Sequence, residues 1–180
     1  MPKVLVVYAS RHGATAGIAE RIGEVLRSEA IDAVIADATE LPNPHGFDAY
    51  VIGSAAYIGK WERAATEFVE RHRAVLATKP CWLFSSGPVG TERVERKGNS
   101  LLADPATVTE LRPILNPRGT QVFFGAWDPS VPSASLAERV VRRMPAMKDL
   151  LPTGDFREWP AIEAWAREIA AELVGLVPVG

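Results

Sequence analysis

One short polar segment near the amino terminus combines side chains and backbone groups that could bind an anion. Its six consecutive residues are Ser10, Arg11, His12, Gly13, Ala14 and Thr15. The two hydroxyls and the N–H groups of Arg11 and His12 are hydrogen-bond donors, and Gly13 lets the backbone turn its own N–H groups toward a ligand. A predicted helix starts directly after the segment, so the positive end of its dipole points at the same place. The segment therefore predicts a phosphate-binding loop.

Other phosphate-binding sequences are excluded by residues that are missing. A dinucleotide fingerprint, G-x-G-x-x-G, needs three glycines, and this loop has only Gly13. The nearest match to a P-loop, G-x-x-x-x-G-K-[ST], is at residues 53–60, where the glycines are one residue too far apart and Trp61 replaces Ser or Thr. A receiver domain would carry acidic residues after strands one and three, where this chain has alanine, glycine and serine. Bound NAD is therefore not expected, and the P-loop match is attributed to chance.

The phosphate-binding loop lies in a chain whose elements alternate in type. Apolar runs typical of buried strands occur five times, at residues 4–8, 33–36, 49–53, 81–85 and 121–125. Amphipathic helical patterns follow the first, third and fourth strands, Asp104 has the position of an N-cap before Pro105, and Pro160 opens a last helix. Parallel strands need crossover connections, which are right-handed. The sequence thus predicts a doubly wound α/β sheet with its ligand outside the carboxyl ends of the strands, at the loops after strands one, three and four.

A stretch between the fifth strand and the last helix exceeds ordinary loop lengths. Within residues 127–157, Ser135 and Glu138 have the spacing of a capping box before an apolar helical face. The pattern predicts an inserted helical segment, which is either a lid over the site or a surface helix packed on the domain. With 180 residues, the chain is expected to form a single domain over 1–180.

Several segments resemble FMN-binding proteins of the flavodoxin-like family. The first is residues 8–15, whose Ser-Arg-x-Gly-x-Thr form is most similar to the flavodoxin-like protoporphyrinogen oxidases that use menaquinone as acceptor. The similarity continues at residues 51–60, 67–69, 124–126 and 155–159. The order and spacing of these segments carry the resemblance over nearly the whole chain.

The resemblance implies a flavodoxin-like sheet of five parallel strands in the order 2-1-3-4-5, with helices on both faces and noncovalent FMN as the cofactor. The phosphate would be held by Ser10, Arg11, His12, Gly13, Ala14 and Thr15. Two further segments would flank the isoalloxazine: Ala55, Ala56, Tyr57, Ile58, Gly59 and Lys60, then Ser86, Gly87, Pro88, Val89 and Gly90. Tyr57 would cover a ring face or pack at the start of a helix, and Trp61 is expected to pack. The sequence does not distinguish FMN from a deazaflavin.

Other reactive side chains are expected to be structural. Cys81 begins an apolar strand, where a free cysteine usually packs as a small hydrophobe. His12, His45 and His72 lack the paired spacing of metal ligands, so we expect no metal site and a structural role for His72. His12, within the loop, could donate to the anion. Arg11 either neutralises the phosphate or is solvated at the loop tip, and we favour the phosphate.

Composition narrows the partners and the compartment. The formal net charge of −2, without long blocks of like charge, makes nucleic acid an unexpected partner. No apolar run is long enough for a transmembrane segment, and the amino-terminal run predicts a strand rather than a signal peptide, so any membrane contact would be peripheral. One cysteine permits no internal disulfide, which fits the cytoplasm.

Two functions remain open, while a third, a structural or regulatory α/β module that has lost its flavin, is disfavoured by the intact phosphate loop. The first is an FMN-dependent oxidoreductase with a small-molecule or quinone redox partner; the resemblance implies protoporphyrinogen oxidation, a step of haem biosynthesis. The second is a flavodoxin-type electron carrier without its own substrate. Carriers of that kind are usually strongly acidic, and a charge of −2 favours the enzyme.

Overall fold

Five parallel strands form the central sheet of the computed structural model, which describes residues 1–90, 92–93, 100–128, 130 and 153–176. These strands are β1 (Lys3–Ala9), β2 (Asp32–Asp37), β3 (Ala49–Tyr57), β5 (Cys81–Ser86) and β6 (Gly119–Phe123). A short β4 (Lys60–Trp61) pairs antiparallel with the end of β3. The sheet order is β2-β1-β3-β5-β6. Counted over the five parallel strands, this is the predicted order 2-1-3-4-5, so the predicted fold class is confirmed.

Helices cover both faces of the sheet. They are α1 (Ala14–Ser28), α2 (Arg63–Leu76), α3 (Ala106–Leu115) and α4 (Trp159–Leu176), with a 3-10 turn at Ala38–Glu40. Successive side chains of a strand point to opposite faces. Accordingly, Val4 and Val6 pack in the core under α1 and α4, whereas Leu5 and Val7 pack in the core under α2 and α3. The continuous apolar run of β1 is therefore explained by burial on both sides.

Two sequence predictions about element ends need correction. The fifth parallel strand ends at Phe123 rather than at residue 125, because the N–H of Gly125 donates to the carbonyl of Pro88 at 2.8 Å and leaves the strand ladder. Asp104 does not cap α3, whose N-cap is Pro105 with no side-chain hydrogen bond. Its carboxylate instead accepts hydrogen bonds from Arg112 and Thr120.

A two-stranded antiparallel stalk stands at the edge of the phosphate loop. It consists of β7 (Ala126–Trp127) and β8 (Gly154–Asp155). The stalk brings the two ends of the predicted insert at 127–157 side by side. The predicted helical segment itself falls on residues 129 and 131–152, which lie outside the described residues, and it stays a prediction, as does the single domain.

The described helices were compared with the length and apolar character of a membrane-spanning helix. Within the described ranges, no helix has the length and apolar character needed to cross a bilayer.

Candidate functional site

Three loops meet at the carboxyl edge of the sheet, because β1, β3 and β5 are neighbours there. We call them the phosphate loop (residues 10–15), the hairpin loop (residues 55–60) and the β5 loop (residues 86–90). The buried hydroxyls of Thr15 and Ser86 lie 2.7 Å apart and join the phosphate loop to the β5 loop. A Cβ on Gly87 would lie 2.7 Å from the carbonyl oxygen of Ala56, so only glycine allows the β5 loop and the hairpin loop to approach this closely. The structure thus brings together the three segments that the sequence singled out.

The phosphate loop ends in an open helix terminus. Gly13 is the N-cap of α1 and has φ +87°, in the left-handed region that favours glycine. Its N–H donates to Ser10 Oγ at 3.0 Å, which closes the turn. Among the described residues no side chain caps α1, its first turn carries no acidic residue, and a Cβ on Gly13 would meet nothing within 4 Å. The first-turn N–H groups therefore have no side-chain cap among the described residues and are available as donors to an anion.

Arg11 ties the phosphate loop to the hairpin loop and the start of α2. Its guanidinium lies 2.9 and 3.1 Å from the two carboxylate oxygens of Glu62 and 4.5 Å from the ring centre of Tyr57. The backbone N–H of Glu62 in turn donates to Ser54 Oγ at 2.9 Å. These contacts show that Arg11 is not simply solvated at a loop tip, and its predicted contact with the phosphate stays a prediction. Arg11 is held by an ion pair and an aromatic face.

The hairpin loop has a rigid base and an exposed tip. At its base, the indole N–H of Trp61 donates to Ser85 Oγ at 2.8 Å and the backbone N–H of Trp61 donates to Thr107 Oγ1 at 3.1 Å. Trp61 is buried, as its expected packing role requires. At the tip, Ile58 and Gly59 both have positive φ, +50° and +72°, and the Ile58 side chain is fully exposed. Successive positive φ values are typical of a type I′ hairpin turn.

The other predicted site residues lie around these contacts. Tyr57 is 40% exposed under the guanidinium of Arg11, Lys60 is exposed, and Ala55 and Ala56 are half-buried. In the β5 loop, the Pro88 carbonyl anchors the chain leaving β6, and the half-buried Val89 and Gly90 follow it. All seventeen predicted residues lie within the three loops, and their proposed contacts with a cofactor stay predictions.

The stalk adds residues that the sequence reasoning did not assign to the site. The Trp127 ring meets His12 edge-on, with ring centres 5.6 Å apart. Arg157, two residues after the end of β8, donates to the carbonyl of Ala14 at 3.3 Å. Arg157 lies in the segment 155–159 that carried part of the resemblance, so the sequence did offer a signal that this residue belongs near the site. Nothing in the sequence pattern pointed to Glu62.

Three ionisable side chains, one beside the site and two away from it, have shifted pKa values. The Arg157 guanidinium beside Asp155 holds the pKa of that carboxyl below its usual range. Burial raises the pKa of the Cys81 thiol to about 12, and Cys81 begins β5 at the end of the sheet opposite the loops. His72 packs against the Phe68 ring, and burial lowers its pKa. Across the described ranges, no group of three His, Cys, Asp or Glu side chains could hold a metal ion.

This donor set fits a phosphate monoester next to a flat ring system. Two hydroxyls, the backbone N–H groups of the first turn and the positive end of the helix dipole lie together at the uncapped start of α1, and that turn carries no carboxylate. The hairpin loop and the β5 loop stand beside this point and offer Tyr57 and backbone groups to a ring. The residues present therefore suit FMN.

Comparison with known proteins supports the same assignment. The family model described as a flavodoxin domain matches residues 5–144. A curated protein of Escherichia coli strain K12, protoporphyrinogen IX dehydrogenase (quinone), is 28% identical over 96 residues, which cover 52% of this chain and 53% of that protein. The chain thus spans about half the length of the curated relatives it matches.

Solved structures share the fold. Flavodoxin 1 from Bacillus cereus has a TM-score of 0.57 at 15% identity, with 97% of this chain and 99% of that chain covered. The Fusobacterium nucleatum flavodoxin, bound to flavin mononucleotide, has a TM-score of 0.56 at 16% identity, with 96% and 99% covered. The predicted FMN cofactor is thereby confirmed at the level of the family, whose flavodoxin domains bind FMN. The family match covers more than half of the sequence, and the chain belongs to the flavodoxin domain family.

Proposed function

We propose that this protein is an FMN-dependent oxidoreductase that holds FMN noncovalently between the phosphate loop, the hairpin loop and the β5 loop. The observation that carries the proposal is the uncapped first turn of α1, which opens where the Thr15–Ser86 hydroxyl pair joins two of the three loops. A phosphate bound there would leave the flavin ring beside Tyr57 and the β5 loop.

Each loop would have a separate task in holding the cofactor. The N–H groups of the first turn of α1, with the hydroxyls of Ser10 and Thr15, would bind the phosphate. The backbone of the β5 loop would approach the ring edge, and Tyr57 would cover a ring face. Bound FMN supplies one- and two-electron chemistry, while the protein orients it and tunes its environment.

The charge of the chain and its curated relative favour an enzyme. A net charge of −2 gives a weak field for docking on basic protein partners. The matching segment of the E. coli protein belongs to a quinone-dependent dehydrogenase. We therefore propose a small reduced substrate, with a porphyrinogen as the first candidate, and a quinone as acceptor. A cytoplasmic location belongs to the same proposal, because one cysteine allows no internal disulfide.

A flavodoxin-type electron carrier is the second candidate. The observation that favours it is the exposed hairpin tip, where Ile58 and Tyr57 present apolar surface beside the proposed flavin site. A protein partner could dock there and exchange electrons with the flavin.

Anaerobic assays of the FMN-loaded protein separate the two candidates. In one assay, protoporphyrinogen and a menaquinone analogue are added and porphyrin fluorescence is recorded; in the other, a flavodoxin reductase with NADPH replaces the porphyrinogen. The enzyme predicts porphyrin formation that needs both FMN and quinone, with the apoprotein as the matched control. Porphyrin formation at the apoprotein rate, together with rapid reduction by the reductase, would contradict the enzyme and favour the carrier.

A further inference from the structure

An arginine just beyond the stalk, Arg157, contacts the end of the phosphate loop and is itself held by Asp155 and Trp159. We propose that Arg157 is a positioning residue that orients and polarises the Thr15 N–H as a donor to the phosphate of bound FMN. This inference rests on the proposed FMN site and adds a residue outside its three loops.

The geometry of one peptide group links Arg157 to the phosphate site. Arg157 Nη1 donates to the carbonyl oxygen of Ala14 at 3.3 Å. The Ala14 carbonyl and the Thr15 N–H belong to the same planar peptide and point in opposite directions. Thr15 lies in the first turn of α1, where N–H groups have no partner within the helix. A cationic donor on the carbonyl therefore fixes the peptide plane and strengthens the N–H as a donor on its other side.

Arg157 is itself held rigidly. The Asp155 carboxylate accepts hydrogen bonds from Arg157 Nε at 2.8 Å and from Arg157 Nη2 at 2.6 Å. This bidentate pair fixes the plane of the guanidinium. The Trp159 ring lies 4.5 Å from the guanidinium carbon, and the Arg157 side chain is only 17% exposed. Asp155 belongs to β8, which pairs with β7. The stalk thus fixes the direction of the remaining donor, Nη1.

Gly17 of α1 leaves room for the Arg157 guanidinium. A Cβ on Gly17 would lie 2.5 Å from Arg157 Nη1. Glycine is unfavourable inside a helix, and its presence here is explained by the guanidinium that lies against it. An alanine at this position would displace the guanidinium while leaving its charge in the protein.

A second contact joins the same stalk to the same loop. Trp127 of β7 meets His12 edge-on. The phosphate loop is therefore contacted at its middle by β7 and at its helical end by Arg157, while Arg11 joins it to the hairpin loop.

The test compares FMN with riboflavin, which lacks the phosphate. Dissociation constants are measured by fluorescence titration for the wild-type protein, R157L, R157K and G17A. We expect the wild type to prefer FMN, and we expect R157L to lower that preference about tenfold, the size of one charge-assisted hydrogen bond. Riboflavin affinity should change by less than about twofold, and R157K should restore part of the preference. R167L, which breaks an exposed ion pair with Glu163 on α4, is the matched control and should change neither constant.

A double-mutant cycle guards against a purely structural explanation. G17A alone should lower the FMN preference, and in the R157L background it should have no further effect, because the group it displaces is gone. The ratio of the two constants is insensitive to loss of folded protein, which affects both ligands equally. A wild type that prefers FMN, together with an unchanged preference in R157L and G17A, overturns the inference alone. A wild type that binds neither flavin overturns the proposed function and the inference with it.

Discussion

At the scale of single residues, the site depends on a pair of hydroxyls. Thr15 Oγ1 and Ser86 Oγ are both buried and lie 2.7 Å apart, so one hydroxyl donates to the other. The pair links the helix that would bind phosphate to the loop that would border the ring.

Replacing Thr15 by valine tests this link. T15V keeps the side-chain volume and leaves the Ser86 hydroxyl buried without its partner, so we expect a loss of about 1–3 kcal/mol in the free energy of unfolding. FMN affinity should fall as well, because one phosphate donor is lost. Urea denaturation and FMN titration measure the two effects. T78V removes an exposed threonine hydroxyl that bonds the carbonyl of Val75, and it should change stability by less than about 0.5 kcal/mol. Equal stability of T15V and T78V would contradict the proposed link.

The Cys81 thiol provides a pH prediction. Burial raises its pKa from the ordinary 9.0 to about 12. The folded state therefore keeps the proton at pH values where the unfolded chain releases it, and this stabilising contribution is lost as pH rises from about 9 to about 12. Burial also raises the pKa values of Tyr8 and Tyr50, which act in the same direction.

Thiol labelling and urea unfolding check this prediction. At pH 8 the native protein should react with a thiol reagent far more slowly than the unfolded chain, and C81A should lose stability less steeply above pH 9 than the wild type. Fast labelling of the native protein would show that Cys81 is accessible and would contradict the burial argument.

At this scale the sequence alone can group residues only where they are contiguous. Ser10 to Thr15 could be assigned because one loop carries all the donors. The partners of Arg11 and Ala14 could not, because Glu62 and Arg157 lie 51 and 143 positions away in sequence and are brought near only by the fold.

At the scale of elements, the β3–β4 hairpin stores backbone strain. Ile58 is a β-branched residue at φ +50°, a conformation that favours glycine or asparagine. Its side chain is fully exposed, so packing within the described part of the chain does not compensate for the strain.

Asparagine at this turn tests whether the strain serves the cofactor. I58N creates the Asn-Gly pair that type I′ turns favour and should raise the free energy of unfolding by about 1 kcal/mol. It should also weaken FMN binding, because the apolar side chain beside the proposed ring site is lost. L41N is the matched control: Leu41 is exposed with φ +50° and lies outside the three loops, and L41N should gain stability without a change in FMN affinity. Unchanged FMN affinity in I58N would argue against contact between Ile58 and the ring.

Helices and strands were predictable from the sequence when their apolar pattern extends over several residues. The five parallel strands and α4 follow from apolar patterns of several residues, whereas β4, β7 and β8 have two residues each and leave no periodic signal. The end of the fifth strand was misplaced because the apolar run continues to Gly125 while its backbone turns to Pro88.

At the scale of the whole molecule, the sheet acts as a platform that places three loops at one edge. The strand order puts β1, β3 and β5 side by side, so segments distant in sequence share one site. The alternation of elements predicts a doubly wound sheet; the order itself came from the family resemblance.

Ligand binding to the folded state predicts a concentration-dependent gain in stability. FMN at about 100 times its dissociation constant should add about 2.7 kcal/mol to the free energy of unfolding, and riboflavin at the same concentration should add less. Thermal denaturation at several concentrations of each flavin measures this gain. A midpoint that does not move with FMN would contradict binding to the folded chain.

The absorption spectrum of the purified protein, with identification of the ligand released on denaturation, tests the central claim most directly. A flavodoxin domain with this loop arrangement should be yellow and should release FMN, or should take up added FMN if it is purified without it. A colourless protein that takes up no added FMN would contradict the account and would leave the open end of α1 as a site for some other anion.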